Sequence, residues 1–198
     1  MSRGPSCEGS GAAGLEVADR EELLRIARAA LEAALVARSG PLLASRPALR
    51  RPRGAFVSLH DRSGELRGCV GQLRAERPLY ETVARMAVAA ATEDSRFPEV
   101  TGDDLPGLVI EISALGPLLP VRAYEVEVGR HGLLLRLAGR SGVLLPQVAV
   151  ANGWDREEFL ARTAWKAGLP EDAWRCADVE IFAFTADVFG ELDRSRSA

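Results

Sequence analysis

The 198-residue chain predicts an α+β fold built on antiparallel sheets with flanking helices. Three observations carry that prediction. Hairpin signals recur, each with glycine at a tight turn. Amphipathic helical stretches fall between them irregularly, without the strict alternation of parallel βαβ folds. The composition, 47% apolar and 27% charged, is that of a globular chain with a sizeable core. At this length the chain forms one domain, or two small lobes sharing a core, with no room for separate cofactor and substrate domains.

Residues 1–14 are small, polar and Gly/Ser-rich and read as a flexible tail in which Cys7 is incidental. From Asp19, Leu23, Ala27, Ala30, Leu31 and Ala34 recur at helical spacing, with Asp19 and Glu22 as a capping pair and an end near Ser39-Gly40-Pro41. The proline- and arginine-rich stretch to Arg53 reads as a loop. Residues 54–61 and 65–71 form a hairpin turning on Arg62-Ser63-Gly64. Pro78 opens a second helix with Leu79, Val83, Met86, Ala87 and Ala90 on its apolar face, stopping before Asp94.

Residues 108–115 alternate and are β-branched, a central strand with Glu111 and Ser113 on the face opposite Ile110 and Ile112. A turn at Gly129-Arg130-His131-Gly132 leads to a second hairpin that turns on Arg140-Ser141-Gly142. Pro146 to Gly153 is a short helix, and Asp155 with Glu158 caps another that ends at Gly168. Residues 179–188 read as one last strand, and Trp154, Trp165 and Trp174 as core or lobe-packing residues.

The chemical inventory is short: two histidines, three cysteines and one lysine among 25 basic residues. No C-x-x-C or H-x-x-x-H pair occurs, so zinc and iron–sulfur sites are excluded and no metal or cofactor is expected. Walker A and nucleophile-elbow motifs are absent. Schiff-base chemistry would rest on Lys166 alone. A net charge of −3 with scattered basic residues is the wrong footprint for nucleic acid or an anionic membrane. No apolar run reaches the roughly 20 residues of a membrane span, no secretory h-region is present, and the odd, widely spaced cysteines fit a reduced compartment; a cytoplasmic location is expected.

The segment that stands out is Leu66-Arg67-Gly68-Cys69-Val70-Gly71. Two glycines beside one thiol mark a bulge, or close approach of a ligand or another backbone. The Arg67 guanidinium would favour the thiolate, the reactive form; equally, Cys69 reads as a small buried hydrophobe. His131, in a turn, is the better histidine for acid–base work, and Cys69 with His131 has the form of an activated nucleophile. His60 sits at a strand end and caps it. Glu111, in an apolar strand, needs a partner if buried, with Arg67 or Arg96 available. Asp94-Ser95-Arg96-Phe97-Pro98 either presents Arg96 to an anion or ends the helix.

Taken in order, Leu66-Arg-Gly-Cys-Val-Gly71, Asp94-Ser-Arg-Phe-Pro98, Ile110-Glu-Ile-Ser113, His131-Gly-Leu133, Leu144-Leu-Pro-Gln147-Val-Ala149, Gly153-Trp-Asp155 and Lys166-Ala-Gly-Leu-Pro170 closely resemble the AMMECR-one domain family, protein A of the AmmeMemoRadiSam system. The likeness spans about residues 17–191. It implies two lobes of unequal size within residues 15–193, intertwined, with residues 194–198 a short tail, and a cleft beside the R-G-C-V-G segment. It also implies Memo-type and radical-SAM pathway proteins as partners and an unknown small molecule as ligand. Many relatives carry cysteine where this chain has Ala164, so a two-cysteine mechanism is not expected.

The reading that follows is an accessory component of a Memo/radical-SAM pathway. Cys69 would act as nucleophile or tether and His131 as proton carrier, with Arg67, Gly68, Gly71, Arg96, Glu111 and Gln147 in support. The alternative is a non-catalytic module docking on a Memo-type partner.

Overall fold

A computed structural model describes residues 14–37 and 43–192. Cys7 and the expected helix end at residues 39–41 lie outside the described residues, as does the C-terminal tail. In chain order the elements are α1 (Val17–Val36), β1 (Ala55–His60), β2 (Leu66–Gln72), α2 (Leu79–Thr92), β3 (Val109–Leu115), β4 (Leu119–Pro120), β5 (Gly132–Leu137), β6 (Arg140–Leu144), α3 (Pro146–Asn152), α4 (Arg156–Lys166), β7 (Glu180–Phe184) and β8 (Ala186–Gly190). They form two four-stranded antiparallel sheets, ordered β2-β1-β3-β8 and β4-β7-β5-β6. The fold is α+β. No helix among the described residues is long and apolar enough to cross a membrane.

The alternation read in β3 holds across the whole first sheet. Val57, Leu59, Ile110, Ile112, Ala114 and Phe189 are buried on one face, where they share a core with Leu23, Ala27 and Leu31 of α1 and Val83, Ala87 and Ala90 of α2. Each fully buried leucine there contributes about 2 kcal/mol of apolar transfer. The opposite face carries Phe56, Ser58 and His60 on β1 beside Gly71, Cys69 and Leu66 on β2 and Ser113, Glu111 and Val109 on β3. Apart from the buried Ser113 these residues are half-buried, and the second lobe meets this face through α3, where the Gln147 amide nitrogen donates to Ser113 Oγ at 3.2 Å.

Local details depart from the sequence reading in four places. Glu16, not Asp19, is the N-cap of α1; Asp19 is the N3 member of the capping box and accepts the Glu16 N–H at 3.0 Å. Glu22 is instead buried and accepts from the Ser45 N–H and hydroxyl.

The second hairpin turns on Ala138-Gly139, both at positive φ, with Leu137 paired to Arg140. Arg140-Ser141-Gly142 is therefore inside β6. Gly142 is needed there because a Cβ would lie 2.5 Å from the Thr163 carbonyl of α4.

The expected single strand at 179–188 is two strands. The break is at Thr185, whose carbonyl accepts the Gly116 N–H at 2.8 Å, and it sends β7 into the second sheet and β8 back into the first. Trp165 is 66% exposed rather than core, whereas Trp154 and Trp174 pack against the second lobe's apolar cluster.

Candidate functional site

Cys69 lies at the middle of β2, the outer strand of the first sheet. An outer strand leaves N–H and C=O groups unpaired on its free side. At Cys69 both are taken by side chains from the segment after α2. The Cys69 N–H donates to Asp94 Oδ2 at 2.8 Å, and Arg96 Nη2 donates to the Cys69 carbonyl at 3.1 Å. Arg96 and Asp94 are themselves joined by two bonds, Nε to Oδ1 at 2.8 Å and Nη2 to Oδ2 at 2.6 Å. This pair substitutes for a missing neighbouring strand and fixes the backbone that carries the thiol. The Arg96 hydrogen bonds hold the Asp94 carboxyl well below the usual carboxylate range, against the opposing effect of burial and with help from the Cys69 N–H.

The two glycines beside Cys69 answer to packing. A Cβ on Gly68 would sit 1.9 Å from the Ala90 carbonyl oxygen of α2, and one on Gly71 would meet the Phe56 ring at 2.1 Å. Close backbone approach, one of the two readings open from sequence, is what the structure shows at Gly68. Neither glycine faces open space.

On the exposed side of the sheet, Ser58 pairs with both Cys69 and Glu111 in the strand register, so the three residues form a row across β2, β1 and β3. The Ser58 hydroxyl donates to Cys69 Sγ at 3.2 Å. Glu111 is half-buried, and among the described residues no cation or donor pairs with its carboxylate.

Neither arginine expected to serve Glu111 does so. Arg96 is committed to Asp94, and Arg67 faces Asp104 at 3.8 Å. Arg67 falls where the β1–β2 register slips between Leu59 and His60, and that irregularity explains its altered aim.

Lys166, in the last turn of α4, is an exposed residue. Desolvation pushes its ammonium down from the ordinary lysine range, the nearby Arg96 charge adds to this, and attraction to Cys69 opposes it. Lys166 thus stands within electrostatic reach of both Arg96 and Cys69. It has no carboxylate partner among the described residues. Gln147 completes the surroundings: its Nε2 is on Ser113, the next residue along the Glu111 face, and its Oε1 is buried without a hydrogen-bond partner.

His131 is elsewhere. It lines a crevice of about 270 Å³ with Arg53, Pro117, Arg130, Thr185 and Asp187, between the second sheet and the β8 end of the first. Its Nδ1 accepts the Glu127 N–H at 3.1 Å, and burial pushes its pKa down from the ordinary value, opposed by Glu127 and reinforced by Arg130. Nothing in this environment joins it to Cys69, so the expected Cys69–His131 pair is not formed. His60 Nδ1 sits 3.3 Å from the Gly64 carbonyl, consistent with a turn-capping role.

Of the residues singled out in the sequence, the structure brings Cys69, Arg96 and Glu111 into one row or contact network, together with Asp94 and Ser58, which the sequence reading passed over. The period-2 alternation placing Ser58 on the face of its cross-strand neighbours was the one available signal for it. Among the described residues no three His, Cys, Asp or Glu side chains gather as a metal site requires.

These features define a class: a two-sheet α+β protein with a cysteine clamped on an outer strand and turned toward the second lobe. The chain belongs to the AMMECR1 family, whose sequence model matches residues 24–189. It is 41% identical over 185 residues to a protein of Thermococcus gammatolerans, covering 86% of this chain and 89% of the relative. To a protein of Aeropyrum pernix it is 43% identical over 188 residues, covering 90% and 81%. Its fold is similar to that of the crystal structure of uncharacterized protein PH0010 from Pyrococcus horikoshii, with a TM-score of 0.80 and 39% identity over 85% of this chain and 89% of that one.

Proposed function

We propose that this AMMECR1-family chain handles a small molecule through Cys69, in the cytoplasm and alongside the Memo-type and radical-SAM proteins that the family resemblance implies. The observation that carries this reading is the clamp. Asp94 and Arg96 satisfy both backbone groups of Cys69, while Ser58 donates to its sulfur. The two backbone bonds would serve any residue at this position of an outer strand; the Ser58 hydroxyl on the sulfur is the contact that a cysteine filling space would not need. In the reaction proposed, a sulfur lone pair adds to the electrophilic carbon of a ligand double bond, whose π pair moves to the far atom and takes up a proton from solvent, while the thiol proton leaves to solvent, which reaches the half-buried residue. Positioning is supplied by the clamp; His131 takes no part.

The test is the alkylation rate of Cys69 by iodoacetamide at pH 6.5, in a chain whose other two cysteines are serine. A rate at least about tenfold above that of glutathione supports a nucleophilic role. A rate at or below that of glutathione defeats it. Should Cys69→Ser also leave pathway output intact, the function lies in docking.

A further inference from the structure

Two acceptors on the Cys69 face of the first sheet lack a donor among the described residues. One is the Glu111 carboxylate, on a half-buried residue that solvent and a ligand both reach. The other is Oε1 of Gln147, buried without a hydrogen-bond partner. The neighbouring donors are committed elsewhere. Ser58, the strand partner of both Cys69 and Glu111, has a single O–H and gives it to Cys69 Sγ at 3.2 Å. Arg96 is spent on Asp94 and on the Cys69 carbonyl, and Arg67 faces Asp104.

The strand register fixes how these groups lie. Cys69, Ser58 and Glu111 form one row, so two strand spacings, about 10 Å, separate the backbones that carry the thiol and the carboxylate. Ser113, which anchors the Gln147 amide nitrogen, is two residues beyond Glu111 on the same face, about 7 Å along β3. Both acceptors therefore belong to the β3 end of a row whose other end is the thiol.

A half-buried carboxylate and a buried amide oxygen without donors carry a desolvation cost that a ligand bringing N–H groups offsets. The charge of Glu111 selects among such ligands. An anion is repelled, a neutral amide leaves the charge unmatched, and a quaternary ammonium matches the charge but has no N–H to give. A primary ammonium meets both needs, because its three N–H groups serve two acceptors and its bond to a carboxylate is charge-assisted. We infer that the ligand handled at Cys69 carries a primary ammonium group. Glu111 holds it, joined by Oε1 of Gln147 after a turn of that half-buried side chain about its Ser113 bond, while the electrophilic double bond lies at the thiol. The inference rests on the reading of Cys69 as the ligand-handling thiol and adds the class of molecule it handles, a small amine.

Three methanethiosulfonates of one chemistry test it: the methyl reagent (neutral), the 2-aminoethyl reagent (primary ammonium) and the 2-(trimethylammonio)ethyl reagent (quaternary). In each, the Cys69 thiolate attacks the sulfenyl sulfur, the bond to the sulfonyl sulfur breaks with its electron pair, and methanesulfinate leaves. The full chain is used with its other two cysteines as serine, at pH 6.5, and each rate is divided by that of the same reagent with 2-mercaptoethanol. Reading the aminoethyl rate against the methyl rate within one variant cancels any change in thiolate fraction that the substitution brings. That ratio is expected to fall about fivefold in Glu111→Gln, and the ratio for the quaternary reagent by less than about twofold. Gln147→Leu, which removes the amide oxygen, should lower the aminoethyl ratio about twofold.

The parent protein alone gives a second measurement, independent of how any variant folds. Propylamine should protect Cys69 from the methyl reagent at lower concentration than propanol or tetramethylammonium at equal ionic strength. If Glu111→Gln leaves the aminoethyl ratio unchanged, or tetramethylammonium protects as well as propylamine, the amine is wrong while the thiol reading stands. If the methyl reagent reacts with Cys69 no faster than with 2-mercaptoethanol, the thiol reading itself has failed, and this inference with it.

Discussion

Around His131 the charged groups are matched to one another. Arg53 bonds Asp187 at 3.2 Å and the carbonyls of Ala114 and Leu115; Arg130 is bidentate to Glu127; and the Nδ1 of His131 takes the Glu127 N–H. Around Cys69 a similar set of residue types is arranged differently. One ion pair, Asp94–Arg96, is turned inward to hold backbone, while the half-buried Glu111 carboxylate has no partner among the described residues. A crevice with internally satisfied charge gains nothing specific from a polar ligand, since binding would have to break existing pairs. A site with an unmatched, half-buried carboxylate does gain. The distinction separates two loci that look equivalent in sequence, each a reactive side chain beside an arginine and a glycine.

The strongest way to break the comparison is to remove the packing that supports the Cys69 strand. Gly68→Val would drive a branched side chain into the Ala90 carbonyl, which lies 1.9 Å from the position of a first carbon. Backbone cannot yield as a flexible side chain does, so the expected loss is about 3 kcal/mol or more, read as a lower denaturant midpoint. Gly64→Ala, in an open turn at φ 90°, has no such clash and should cost about 1 kcal/mol from backbone strain alone. Equal losses would mean that α2 does not press on β2 at Gly68.

A smaller effect is expected at the clamp. Asp94→Asn keeps the shape but removes the charge that holds Arg96, at a cost of about 2 kcal/mol, moderated because Arg96 is 60% exposed and keeps its water. The sign with pH follows from the lowered Asp94 pKa. The folded state binds the proton less readily than the unfolded chain, so the contribution is fully present above the ordinary carboxylate value of 3.8 and is lost as pH falls below it. The gap between wild type and Asp94→Asn should be constant from neutral pH to about 5 and shrink in more acidic solution. Chemical denaturation across that range checks it, and a gap that widens toward acid would contradict the geometry.

How much of this was legible beforehand is shown by two identical tripeptides. Arg62-Ser63-Gly64 makes the turn read from sequence, whereas Arg140-Ser141-Gly142 lies inside β6 because Ala138-Gly139 closes a tighter two-residue loop and α4 presses on Gly142. Local turn chemistry was the same; the tertiary neighbour decided. The site follows the same rule. Cys69 was visible through its flanking glycines, and Glu111 through its misfit in an apolar strand, because both are anomalies within one element. Asp94 looked like a helix terminator and Lys166 like an ordinary residue of a helix. The Asp94 and Arg96 bonds to Cys69 arise from the post-α2 segment folding back along β2, and local pattern carries no trace of contacts between segments so distant in the chain. The split of residues 179–188 between two sheets was hidden for the same reason.

The least costly change sharpens the comparison most. His131→Gln retains an acceptor for the Glu127 N–H and removes the titrating ring. Because burial lowers the pKa of His131, with Glu127 opposing and Arg130 reinforcing, the folded state favours the neutral ring. Its contribution is whole above the ordinary value of 6.5 and declines as pH falls below it. Arg53 and Asp187, which share the crevice, are paired with each other. Wild type should therefore lose about 0.5 kcal/mol at most relative to His131→Gln on going from pH 7.5 to 5, the effect being small because solvent reaches the ring and screens it. Cys69 alkylation should be the same in both proteins. A large drop in that rate would restore His131 to the thiol's chemistry and would show that the two loci communicate; an unchanged rate with a shifted acid stability confines the histidine to holding the Glu127 turn.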